Sequence, residues 1–330
     1  MNRYFLFSIV LICVFFGFFF TAHAQYSFST ANDIIVNLLP TNPAPGNRVY
    51  ATAESYATNL DSATIRWILD DKEIAKGSGM KNVSFTVGGL GKESILRIVI
   101  TTREGEFVEK QIRINPVSVD ILWEANTYTP PFFKGKSMFV GESAIIFEAI
   151  PHIVRGGKEI APSNLIYKWT RNGTVLGESG GYGKNKISFS GSIISRPIEI
   201  EVEVTDPVSN DVAYAQTTVT PTDPIVVFYE KDPLYGVHFK KALNTSISLG
   251  RNELELLAVP FYFSPTNIQY SWSVNNESIE DDGGPSKIFR RTGDTFGIAT
   301  INLQVDNIDR VLQTGNKSLD INFTKENGSF

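Results

Sequence analysis

Three of the four tryptophans stand in one recurring pattern, and its period constrains what this chain can fold into more than any other feature. The segments run Ala63 to Ile74 around Trp67, Leu165 to Leu176 around Trp169, and Ile268 to Ile279 around Trp272, so the tryptophans are 102 and 103 residues apart. In each, Trp sits on one parity of an alternating stretch. A pair of turn-forming residues follows (Asp70-Asp71, Asn172-Gly173, Asn275-Asn276), then an apolar residue seven positions after the Trp. Alternation with period two predicts a strand with one buried face, and the turn predicts a hairpin back along it. A period near 100 residues predicts three copies of one module.

Other strands recur at matching offsets. Val49–Ala53, Ala144–Ala149 and Leu254–Ala258 precede the tryptophans; Ile198–Val204 and Ile301–Val305 follow them, with Leu96–Ile100 and Val108–Ile114 in the first copy. Helical periodicity is almost absent, while 26 Gly and 16 Pro supply turns. Several short strands per module around an inward Trp predict an all-β chain of three tandem immunoglobulin-like β-sandwiches. From Ile34 to Phe323 the pattern resembles the bacterial Ig-like and polycystic-kidney-disease (PKD) modules of envelope proteins. Pro45-Gly46 before Val49, Ala51 and Ala53 is similar to their entry into a second strand, and Trp67 to their core Trp. The PKD signature W-x-F-G-D-G is missing, because Ile-Leu-Asp-Asp follows Trp67.

Prolines interrupt the strands at Asn115-Pro116 and Thr220–Pro224, which predicts modules over 25–116, 117–222 and 223–330. Residues 1–24 read as an export signal, with Arg3, an apolar run from Phe5 to Phe20, and Ala22-His23-Ala24 as a cleavage site. An uncleaved anchor is the alternative, since the run approaches the length of a spanning helix. The single cysteine, Cys13, falls in that run, so a cleaved chain forms no disulfide, which favours a bacterial envelope over a eukaryotic secretory origin. Seven N-x-S/T sequons point the other way, and composition accounts for them. A net charge of −5 gives no basic excess for a polyphosphate, so nucleic acid is not expected as a partner.

No motif specifies catalysis, a cofactor or a metal. Gly177-Glu-Ser179-Gly-Gly181 has the letters of a nucleophile elbow, but that needs a strand-to-helix turn and this serine follows a hairpin strand. Related glycine turns recur at Lys76–Gly79 and Asp282–Gly284, so turn chemistry explains all three. His152 and His238, the histidines beyond the leader, have no chelating spacing. Asp70-Asp71 and Asp281-Asp282 lack the spacing of a calcium loop; Asp206, Asp211 and Asp223 read as oxygen donors flanking the second junction.

One further segment recurs in only two copies. Trp123-Glu124 through Phe132, Phe133 and Lys134 aligns without a gap on Tyr229-Glu230 through Phe239 and Lys240, at a constant offset of 106. It predicts either a seal against a neighbouring module or a binding surface, since aromatic rings beside lysines can stack sugars or anchor a protein. Trp123 and Tyr229 are expected to be buried, and Tyr128 and Phe132 to be exposed beside the Pro130-Pro131 turn. The candidate binding residues are Tyr128, Phe132, Phe133, Lys134, Tyr235, Phe239 and Lys240; Trp67, Trp169 and Trp272 are the candidate core. Together these readings predict an exported, non-enzymatic structural, adhesion or assembly protein with a protein or glycan partner outside the cytoplasm. Membrane contact is expected only through the leader. The alternative is a carbohydrate-binding protein that uses exposed aromatic loops.

Overall fold

A computed structural model describes residues 33–323, apart from 132, 250–251, 281–282 and 292–296. The leader, Cys13, Phe132, Asp281 and Asp282 therefore lie outside the described residues. The architecture is all-β, in tandem immunoglobulin-like sandwiches of two sheets each.

The first sandwich comprises β1 (Ile34–Leu39), β2 (Arg48–Ser55), β3 (Thr64–Leu69), β4 (Lys72–Ser78), β5 (Asn82–Thr86), β6 (Ser94–Thr101) and β7 (Phe107–Ile114). One sheet runs β1-β2-β5 and the other β4-β3-β6-β7. Alternation does the sorting: β2 buries Val49, Ala51 and Ala53, while β3 and β6 bury Ile65, Trp67, Leu96, Ile98 and Ile100.

In the second sandwich the long strands are β8 (Ser118–Ala125) and β9 (Ala144–His152), and a two-residue ladder joins β10 (Val154–Arg155) to β11 (Lys158–Glu159). Then come β12 (Ile166–Arg171), β13 (Thr174–Val175), β14 (Gly181–Tyr182), β15 (Lys186–Ser190), β16 (Ile198–Thr205) and β17 (Val212–Val219). The sheets run β15-β9-β8 and β13-β12-β16-β17, with β14 also paired to β12.

The third sandwich has β18 (Ile225–Asp232), β19 (Gly236–Leu243), β20 (Ser246–Leu249), β21 (Glu253–Phe261) and β22 (Ile268–Val274). It ends with β23 (Glu277–Ser278), β24 (Ser286–Arg290), β25 (Gly297–Asn307) and β26 (Arg310–Phe323). Its sheets run β19-β18-β21-β24 and β20-β26-β25-β22-β23; β20 lies parallel to β26.

The chain forms two compact units. One holds the strands of the first sandwich; the other holds the second and third sandwiches together with residues 42–47 and 87–93. Among the described residues no helix is long and apolar enough to cross a membrane.

All three tryptophans are buried at the centre of their own sandwich, at 0%, 0% and 1% exposure. Burying an indole leaves an N–H that must be satisfied, and each copy solves this alike. Nε1 of Trp67 donates to Met80 O at 2.8 Å, that of Trp169 to Lys184 O at 2.8 Å, and that of Trp272 to Gly284 O at 3.0 Å. Each acceptor directly follows a glycine in the left-handed region: Gly79 at φ +66°, Gly183 at +66° and Gly283 at +67°. The recurring glycine turns thus aim a carbonyl at the core tryptophan.

The hairpin turns recur just as closely. Both residues of each pair have positive φ, as a two-residue hairpin of the right twist requires. Each first side chain then caps a neighbouring strand, Oδ1 of Asp70 accepting from Ile95 N at 2.8 Å, of Asn172 from Glu199 N at 2.9 Å, and of Asn275 from Thr300 N at 2.9 Å. Asp71 pairs with Arg97 at 2.9 Å, so both aspartates of this turn have protein partners.

The placement of Asp206 and Asp211 at the second junction is corrected. They close the β16–β17 turn, at the opposite end of the second sandwich from Asp223 in the Thr220–Pro224 linker, and Asp211 accepts from Asn115 Nδ2 at 2.7 Å. Asp206 is almost wholly buried; its carboxylate accepts Arg155 Nη1 at 2.7 Å, Val208 N at 3.0 Å and Ser209 Oγ at 2.8 Å. Burial alone would push its carboxyl up, but the Val208, Ser209 and Arg155 bonds outweigh that and hold it below the usual range. Arg155 is the cation beside this carboxylate.

Candidate functional site

The two copies of the aromatic segment share a first strand and then part. In the third sandwich the chain folds back: Leu234-Tyr235-Gly236 makes a turn, with Gly236 at φ +74°, and β19 pairs with β18. Asp232 Oδ1 accepts both Leu234 N at 2.8 Å and Tyr235 N at 3.0 Å, which leaves these two side chains at the apex, 87% and 82% exposed. Tyr229 is buried under Phe239, ring centroids 5.3 Å apart, and burial pushes its phenol up. Lys240 stands exposed on β19.

In the second sandwich the same register meets Pro130-Pro131, which lack the N–H groups a returning ladder needs. The described residues of 126–143 form no strand, and the stretch touches the third sandwich at Tyr128, Phe133, Gly141 and Glu142. Tyr128 N donates to Phe263 O and Tyr262 N donates to Tyr128 O, both at 2.7 Å. Tyr128 packs with Tyr229, Val259 and Phe261, and Phe133 meets Phe261 edge-on at 5.3 Å and Tyr262 at 6.5 Å. Tyr270 is pushed up by burial first and then by neighbouring Tyr128. The exposed patch expected at Tyr128 is thus replaced by a half-buried ring against the third sandwich. Lys134 is exposed.

Trp123 is half-buried, packed on the second core and faced by Lys136 Nζ 3.0 Å from the ring centroid. Desolvation lowers the Lys136 amine against the opposing pull of Glu124. A groove of about 590 Å³ runs beside this pair, over Leu122, Thr129, Ile146 and the Glu148–Lys186 ion pair.

Past Pro130 the seam becomes polar. The buried Glu142 carboxylate accepts Leu312 N at 2.7 Å. Gln313, wholly buried, accepts Ser264 N at 2.7 Å and donates to Gly141 O at 3.1 Å. A Cβ at Gly141 would come within 2.7 Å of Leu312 Cδ1, so a larger residue fits there only if the Leu312 side chain swings aside. Sequence reasoning missed Lys136, Glu142 and Gln313. Lys136 stands two residues past the matched lysine, but Glu142 and Gln313 have partners about 170 residues away and no local signal.

Ser179 lies in a short 3-10 turn, Gly177–Ser179, with Gly180 N donating to Gly177 O at 3.3 Å. His152 sits between Glu159 and Asp120, each at 3.3 Å. His238 is exposed on β19.

No family model matches the chain, and no curated protein matches it. Among solved structures, the three N-terminal domains of the bacteriophage RB49 highly immunogenic outer capsid protein are 13% identical, with a TM-score of 0.27 over 89% of this chain and 98% of that one. The central fibronectin-III array of RIM-binding protein is 12% identical (TM-score 0.33, 90% and 99% covered). The Bacteroides ovatus protein SGBP-B, solved with a mixed-linkage heptasaccharide, is 8% identical (TM-score 0.24, 88% and 70% covered). The class of protein the fold defines is a tandem immunoglobulin-like β-sandwich chain.

Proposed function

We propose that this chain is an exported, non-enzymatic structural, adhesion or assembly protein of a bacterial envelope, built of Ig-like and PKD-like modules. The observation that carries this reading is the seam between the second and third sandwiches. It spends buried Glu142 and Gln313, together with Tyr128 and Phe133, on holding two modules in one orientation. Such an investment suits a spacer or presenting scaffold, because relative motion is otherwise the default for linked domains. The leader supports export, and a protein or glycan partner would meet the exposed apolar apex Leu234-Tyr235. Protease shaving of intact host cells should release fragments of all three modules; full protection, with the chain recovered from the cytoplasmic fraction, would overturn the reading.

Carbohydrate binding is the second reading, and Tyr56 favours it. This side chain is 94% exposed beside an open polar cleft of about 840 Å³ in the first sandwich, lined by Glu54, Asn59, Asn82 and the Asp61–Lys81 ion pair. A polar trough beside a free ring suits stacking on a sugar. Affinity electrophoresis in gels of host-envelope polysaccharide should then retard the wild type and not Tyr56→Ala; equal mobilities in all gels would remove it.

A further inference from the structure

A cavity of about 340 Å³ lies at one end of the third sandwich, walled by Phe289 of β24 in one sheet and by Val274, Ile301, Ile321 and Phe323 in the other. Ile298 and Ala299 add two further apolar side chains beside the polar Asn275 and Arg290, and Phe289 packs in turn on Trp272 at 5.8 Å. Arg291 also lines it. The Arg291 backbone is held by a bond to Asn252 O at 2.9 Å, yet its Nε and Nη1 are buried with no hydrogen-bond partner among the described residues.

The other polar groups at this cavity are engaged. Arg290 pairs with Glu253 at 2.6 Å, and Asn275 spends its N–H and its Oδ1 on Thr300 at 2.8 and 2.9 Å. A guanidinium cannot shed its charge by losing a proton, so burying its N–H groups without partners is a standing cost. Buried polar groups left unpaired in a fold call for an explanation such as a bound ion or ligand. The charge asks for an anion and the walls ask for an apolar body.

We propose that this cavity is a binding site for a small carboxylate on an apolar body, of the medium-chain alkanoate class, with the carboxylate on Arg291. This goes beyond the scaffold reading and does not depend on it. The fork of a guanidinium matches a carboxylate in a bidentate pair, and apolar walls favour a hydrocarbon over a hydrated inorganic ion.

The test uses thermal unfolding of the chain from Gln25 onward, with octanoate, acetate, phosphate and octan-1-ol as probes. Saturating octanoate should raise the midpoint of the unit holding the third sandwich by roughly 4–8 °C, and the other three should not. Arg291→Met should raise the ligand-free midpoint, because it removes two buried N–H groups that have no partner among the described residues, and abolish the octanoate response. Ile298→Glu, at the cavity's exposed side, should supply a carboxylate in place and likewise block octanoate. An equal shift with acetate or phosphate would mean an adventitious ion only and overturn the proposal. So would a loss of stability in Arg291→Met matched by Asp294→Asn, since the chain's own carboxylate would then hold the guanidinium. Absence of any octanoate shift in the wild type overturns it outright.

Discussion

At the scale of single residues, the modules are organised by what a buried polar atom demands. Each core indole needs an acceptor inside a sandwich, and a glycine at positive φ turns a carbonyl to meet it. Tyr167, two residues before Trp169, meets the same demand through Pro162 O at 3.1 Å. Burial pushes its phenol up to about 12. A phenol with a raised folded-state pKa contributes fully below its unfolded value near 10 and loses that contribution as pH climbs through about 12. Urea unfolding midpoints should therefore fall between pH 10 and 12, and Tyr167→Phe should remove roughly 2–3 kcal/mol of that fall. Superimposable pH profiles for the two proteins would show that this phenol does not carry it.

At the scale of elements, the hairpin turns were legible because turn chemistry is local: paired positive φ angles select Asp, Asn and Gly whatever lies elsewhere in the chain. The structure adds that Asp70, Asn172 and Asn275 also cap the strand beside them. Asn172→Ala should cost about 1–2 kcal/mol, from left-handed strain plus one lost hydrogen bond. Chemical denaturation of the unit containing the second sandwich measures it, and an unchanged midpoint would reduce the cap to a by-product of the turn. The aromatic segment was legible only halfway. Its strand was visible in the alternation, but the constant offset of 106 concealed two fates. Pro130-Pro131 deny the chain a return ladder in one copy, and Leu234-Tyr235-Gly236 permit it in the other.

At the scale of the whole molecule, the second and third sandwiches are joined by bonds between residues far apart in sequence: Tyr128 with Tyr262 and Phe263, Glu142 with Leu312, Gln313 with Gly141. Removing two buried partners at once should uncouple them. Calorimetry of Glu142→Ala combined with Gln313→Ala is expected to split the transition of the larger unit into two, where the wild type shows one. A single transition in the double variant would place the coupling in the aromatic cluster of Tyr128, Phe133 and Phe261 instead.

The sequence by itself determined the all-β class, the period of the module, the inward tryptophans and the turns between strands. Each of these follows from short-range physics: alternation sorts faces within a strand, and backbone sterics choose the turn residues. Tertiary structure alone decided that Tyr128 faces the third sandwich, that Arg155 neutralises Asp206, that Glu142 and Gln313 hold a seam, and that Nε and Nη1 of Arg291 are buried without a partner among the described residues. Those outcomes depend on which side chains meet across 50 to 170 residues of chain. Neither a period nor a composition encodes such meetings, because packing chooses partners by shape and charge in space and not by distance along the backbone.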